Sequence, residues 1–78
     1  MNNPIFLVNL KEGEKAIIVS IRGGAGVTQR LTDMGLTPDT EITVIKSAFF
    51  GPIEVSVRGS KLAIGRGIAA IILVKVKE

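Results

Sequence analysis

Between Arg30 and Ile45 the chain writes a helix, the signal that ends it, a turn and a strand with no spare residue between them, and this stretch limits the folds open to it. Val27, Leu31 and Met34 stand at i, i+4 and i+7, one apolar stripe of about two turns, while Thr28, Gln29, Arg30 and Asp33 take the wet side. Gly35 falls where a helix end takes a left-handed residue, and Leu36 can fold back onto Leu31. The pattern therefore predicts one short α-helix over about residues 26–34, closed by a Schellman ending. Pro38 then sets φ for a turn over residues 37–40, after which Ile42 and Val44 alternate with Glu41 and Thr43 as in a half-buried strand.

The rest of the chain writes strands. Lys15 to Ile21 is β-branched and follows the turn Lys11-Glu12-Gly13-Glu14, and the glycines of Arg22-Gly23-Gly24-Ala25-Gly26 end it. After a loop holding Phe49 and Phe50, Pro52 opens a strand in which Ile53, Val55 and Val57 point one way and Glu54, Ser56 and Arg58 the other. Gly59-Ser60, between Arg58 and Lys61, predicts a two-residue hairpin returning through Leu62 and Ile64. Gly65-Arg66-Gly67 interrupts as a short turn or single 3₁₀ coil before a last strand over residues 70–76. Leu10, Gly13, Ala16 and Ile18 share their spacing with Leu36, Asp39, Ile42 and Val44, two uses of one turn-into-strand device. The expectation is a mainly β fold: a small SH3-like barrel of about five short strands, one helix and a 3₁₀ turn before the last strand, closed so that no edge is left exposed.

With 78 residues, nearly every apolar side chain must serve one core, so residues 1–78 are expected to form a single domain. The longest apolar run, from Ile68 to Val74, falls far short of the roughly 20 residues that span a bilayer. The first residues lack a basic leader and a cleavage site, so no secretory signal is expected. Without Cys or His there are no disulfides and no usual zinc constellation, which suits a reducing cytoplasm. Charge is uneven: residues 1–54 hold five basic and six acidic groups, residues 55–78 five basic and one acidic. That basic part is either a solvated face or a docking surface for an acidic partner.

Catalysis finds little to work with. No His or Cys can pair with Ser20, Ser47, Ser56 or Ser60, which read as strand and turn hydroxyls, and Glu12, Glu14, Asp39 and Glu41 flank turns. The glycines before the helix do not match a nucleotide fingerprint, because Gln29 stands at the third glycine position and no Gly-Lys-Ser/Thr follows. Scattered carboxylates without imidazole or thiolate make a poor transition-metal site, so no metal ligand and no cofactor is expected. Phe6, Phe49 and Phe50 do not interleave with the basic residues as a nucleic-acid surface would require. Two adjacent aromatics in a Gly-Pro-bounded loop cannot both turn inward in so small a core, so one of Phe49 and Phe50 is expected to be exposed, either to contact a partner or to cap the barrel.

Taken together, Leu7-x-x-Leu10-x-x-Gly13, Ile21-x-Gly23-Gly24, Arg30-Leu31-x-x-Met34-Gly35-Leu36-x-Pro38, Gly51-Pro52-Ile53 and Val57-x-Gly59-x-x-Leu62-Ala63 closely resemble the FeoA family of small ferrous-iron transport accessory proteins, over almost the whole chain. A related SH3-like module ends some metal-dependent repressors. Two departures stand out. Asp39 takes a position where the family often has Gly, which implies a type I turn or a left-handed Asp. Gly65-Arg66-Gly67-Ile68 replaces a coil that is often charged and helix-forming in relatives.

The resemblance implies a non-enzymatic cytosolic protein of ferrous-iron uptake that acts by contact with the membrane Fe(II) transporter FeoB, whose cytoplasmic end carries a GTP-binding domain. The surface expected to meet that partner comprises the helix flank at Arg30, the Phe49-Phe50 loop, and the basic Arg58, Lys61 and Arg66. Weak self-association is compatible with this reading. In a bolder variant one of these arginines acts as a finger in the partner's GTPase site. The alternative is a nucleic-acid-binding or metal-regulatory SH3-like module that uses the basic C-terminal hairpin.

Overall fold

Alternating apolar residues turn to one interior, but they line more strands than the sequence pattern predicts. The computed structural model describes residues 3–48 and 50–77. Among these, six strands form one sheet: β1 (Ile5–Phe6), β2 (Lys15–Ile21), β3 (Glu41–Lys46), β4 (Ile53–Val57), β5 (Ser60–Ile64) and β6 (Ile72–Val76). Helix α1 (Ala25–Asp33) joins β2 to β3, a 3₁₀ turn at Leu7–Asn9 follows β1, and a one-turn helix α2 (Arg66–Ala69) precedes β6. The strand order is β1-β6-β2-β3-β4-β5, antiparallel throughout. Strand β1 escaped the sequence reading because two residues show no alternation. It exists through pairing with the far end of the chain, Ile5 opposite Val74 and Phe6 opposite Leu73.

The sheet is mainly β and SH3-like, as expected, but the ladder does not close. β1 and β5 are its two ends, so an edge remains where the barrel was expected to leave none. Curvature comes from two bulges. Register shifts between Ile18 and Ser20 on β2 and between Val44 and Lys46 on β3 leave Val19 and Ile45 as extra residues, which increase bending and twist. The concave face holds the core, in which Leu7, Ile18, Leu36, Ile42, Ile53 and Ile72 are all fully buried. Ile53, Val55 and Val57 face inward, as the alternation requires.

Helix α1 ends as its sequence dictates. Gly35 takes φ 91° and its N–H donates to the Thr32 carbonyl at 2.9 Å, while the Leu36 N–H donates back to Leu31 at 2.9 Å, the paired bonds of a Schellman motif. Leu36 is thereby driven into the core beside Leu31. Met34 is not part of that core. The helix stops before completing another turn, and Met34 is left 43% exposed. At the other end Gly23 lies so close to the turn before β6 that a Cβ there would sit 3.0 Å from Ile71 Cδ1.

The shared spacing seen in the sequence becomes a local pseudo-two-fold. Ala16 pairs with Ile42, and the turn leading into each strand bonds to the other strand. The Gly13 N–H donates to the Val44 carbonyl at 2.8 Å, and the Asp39 N–H donates to the Ile18 carbonyl at 2.8 Å. Val44 N–H to Glu14 O and Ile18 N–H to Thr40 O, both 2.9 Å, repeat the match. Both turns need a left-handed residue, and Asp39, at φ 71°, supplies it where Gly13 has φ 89°. The Asp at this position therefore leaves the fold intact.

The hairpin between β4 and β5 is tight, as expected, but its turn sits one residue earlier. Val57 pairs with Ser60, so Arg58 and Gly59 are the central residues, at φ 51° and 83°. Two positive φ values define a type I′ turn, whose twist matches the flanking strands. A left-handed arginine is uncommon, so Arg58 at the first central position departs from the expected Gly59-Ser60 turn. The coil before β6 is there too, as α2, with mixed bonding: Ile68 N–H to Gly65 O at 3.1 Å is of 3₁₀ type, and Ala69 N–H to Gly65 O at 2.9 Å is of α type. This turn consumes Ala70 and Ile71, so β6 begins at Ile72.

Candidate functional site

Of the six residues singled out from the sequence, Arg30, Arg58, Lys61 and Arg66 fall at two places. Ser60 and Ile64, at opposite ends of β5, are four strand steps or about 13 Å apart, which separates the hairpin tip from the far end of the strand. Arg58 and Lys61 belong to the tip. There Arg58 Nη2 donates to Thr40 Oγ1 at 3.5 Å, and Thr40, itself buried, shares a 2.8 Å hydrogen bond with Thr37 Oγ1. Asp39, Glu41, Thr43 and Ser56 line a shallow polar depression beside Arg58.

At the other end of β5 lies an apolar groove of about 200 Å³. Helix α1 supplies one wall through Val27, Arg30 and Leu31, with Met34 just past its end, while Ala63 and Ile64 of β5 and Ile68 of α2 supply the other. The helix stripe thus serves two purposes: Leu31 in the core and Val27 packed against it also line the groove, whereas Met34 lines the groove alone. Arg30 is exposed on the groove wall. Arg66 follows β5 after Gly65, half-buried, and its Nε has no hydrogen-bond partner among the described residues. Phe50 projects from the loop between β3 and β4 with 89% of its surface exposed. Phe49 lies outside the described residues. The pattern of alternation could not show the groove, because it depends on where α1 lies against the end of β5.

Titratable chemistry is sparse. Glu41 is held below its ordinary value of 4.5, first by the hydrogen bond from Lys77 Nζ at 2.7 Å, then by the charge of Lys77, with a smaller contribution from Lys15. This ion pair fastens the end of β6 to β3 across an exposed surface. Among the described residues no three of His, Cys, Asp and Glu gather as a metal site would need, and no helix is long and apolar enough to cross a membrane.

Comparison with known proteins identifies the family. The family model described as the FeoA domain matches residues 6–76. A protein of Methanocaldococcus jannaschii described as a putative Fe(2+) transport protein A is 43% identical over 68 residues, covering 87% of this chain and 82% of its own length. A crystal structure of an iron uptake regulatory protein (FeoA) superposes with a TM-score of 0.91 at 40% identity, covering 96% of this chain and all of the other. A manganese-dependent transcriptional repressor shares the fold over 44% of its length, with a TM-score of 0.87 at 18% identity.

Proposed function

Because this chain belongs to the FeoA family and so has a role in Fe(2+) transport, we propose that it acts without chemistry of its own, as a cytoplasmic accessory that docks onto the cytoplasmic part of the membrane ferrous-iron transporter FeoB. The observation that carries this reading is the apolar groove between α1, β5 and α2. Its Met34 and Ile68 leave hydrophobic surface uncovered beside the cationic Arg30. An apolar centre with a charged rim is the anatomy of a protein contact surface. Phe50, an aromatic nearly free of intramolecular contact, offers an additional anchor. Bound there, the domain acts as a preformed surface that favours whichever conformation of the transporter fits it, and this differential fit shifts its population.

Titration calorimetry with the purified cytoplasmic part of FeoB tests the proposal. Arg30→Glu and Met34→Asp each lower affinity by about tenfold or more, consistent with losses of about 1.4 kcal/mol or more at interface centres. Unchanged affinity for both variants, or no binding by the unaltered chain, refutes it. Likeness to a repressor at 18% identity supports the fold alone and adds nothing to the nucleic-acid alternative.

A further inference from the structure

The open sheet has a consequence beyond the groove. In a hairpin closed by a two-residue turn, the residues flanking the turn are hydrogen-bonded to each other, and bonded pairs then alternate. Here Val57 and Ser60 flank the turn, so Ser60, Leu62 and Ile64 bond to β4, whereas the N–H and C=O groups of Lys61 and Ala63 point away from it. No strand among the described residues takes them, since β5 ends the ladder. Both side chains are exposed on one face, two residues apart. One is cationic. The other is small and forms part of the groove wall opposite Met34.

Charge decides what can lie along this edge. No Asp or Glu lines the groove, where Arg30 stands, and Arg66 follows the strand. Glu54, the acid on β4 opposite Ala63, faces Lys46 on its other side. A second copy would bring its own Lys61 and Arg30 to the same edge, which like-charge repulsion opposes. A lysine on an edge is an ordinary guard against unwanted pairing. The guard here is partial, because the next outward residue is an alanine beside an apolar groove.

We infer that the β5 edge receives an extended acidic segment of a partner protein as an added strand, hydrogen-bonded to Lys61 and Ala63. The segment places an acidic side chain against Lys61 and a large apolar one over Ala63 into the groove. For an antiparallel addition the apolar residue precedes the acidic one by two positions. The inference rests on the docking reading only for which protein supplies the segment.

The test uses the full chain, labelled for amide detection by NMR, and two capped peptides, Thr-Val-Thr-Leu-Thr-Glu-Thr and the same sequence with Lys in place of Glu. The Glu peptide binds at least about fivefold more tightly, the size of one cross-strand charge pair, and slows hydrogen exchange at the Lys61 and Ala63 amides. Lys61→Glu inverts the preference between the peptides. Ala63→Pro removes an outward N–H that β4 does not use and abolishes binding. Equal binding of both peptides, no binding, or protection confined to other amides overturns the inference. So does a Lys61→Thr variant that dimerises and ignores the peptide, which makes Lys61 a guard alone. If the cytoplasmic part of FeoB still binds Ala63→Pro with full affinity, docking stands and edge addition falls.

Discussion

Replacing Arg58 by Asn is expected to stabilise the protein although it deletes a hydrogen bond. Arg58 sits at φ 51° in the first central position of a type I′ turn, a region that costs a residue with an ordinary Cβ about 1–2 kcal/mol and that Asn visits far more readily. Relief of roughly half that strain gives about 0.5–1 kcal/mol. Against it stands the contact from Arg58 Nη2 to Thr40 Oγ1, which at 3.5 Å lies at the outer limit of a hydrogen bond and is only partly buried. Its loss costs a few tenths of a kcal/mol, about the low end for such bonds. Thr40 is not orphaned, because Thr37 Oγ1 still reaches it at 2.8 Å. The net gain is about 0.5 kcal/mol, which in a domain of this size raises Tm by about 2–4 °C. The chain has no Trp or Tyr, so the assay is thermal unfolding followed by far-ultraviolet circular dichroism. A fall in Tm refutes the reasoning: the Arg58 contacts at Thr40 would then outweigh the backbone strain.

Leu36→Ala, at a fully buried site that also closes the helix, costs about 3–4 kcal/mol in urea unfolding, within the range for buried leucines, and a loss under about 1 kcal/mol contradicts the packing described. Gly23→Ala presses a methyl against Ile71 Cδ1 at 3.0 Å, and the expected loss is about 1 kcal/mol, measured the same way. Phe50→Ala leaves Tm within about 2 °C, since exposed side chains contribute little, and any affinity it loses for FeoB is then a direct contact effect. Glu41 has a depressed folded-state pKa, so its stabilisation is present above its ordinary value of 4.5 and disappears as pH falls through the lowered one. The stability difference between the unaltered chain and Glu41→Gln therefore shrinks on acidification below that value and on adding salt, and a difference independent of both assigns the effect to something other than the Lys77 pair.

What could be read from the residues depended on how local the cause was. Helix α1, its ending at Gly35 and Leu36, and the strands at 15–21 and 53–57 rest on neighbours within a turn or a strand, and their signals lie side by side in the chain. Strand β1 rests on Val74 and Leu73, and Ile5-Phe6 alone carries no mark of it. The β4–β5 turn was displaced by one residue because a glycine is the natural choice for positive φ, and sequence does not show that an arginine will share the strain. Met34 fits the helix stripe equally well as core or as groove, and only the length of α1 and its position against β5 separate the two. The exposure of Arg30 and of one of the two adjacent phenylalanines was legible from the helix pattern and the loop, while the groove between α1 and α2 belongs to the tertiary arrangement.

The pairing of β1 with β6 places the first and last strands of the described residues side by side. Neighbouring antiparallel strands lie only about 5 Å apart, so a short linker suffices to join the end of β6 to the start of β1, and a circularly permuted version of the sheet opened within the exposed turn at Lys11-Glu12 keeps every ladder. The same adjacency makes the unit easy to splice into a longer polypeptide, which enters and leaves it at one point. A module with that property can be appended, inserted or released without redesign of its interior.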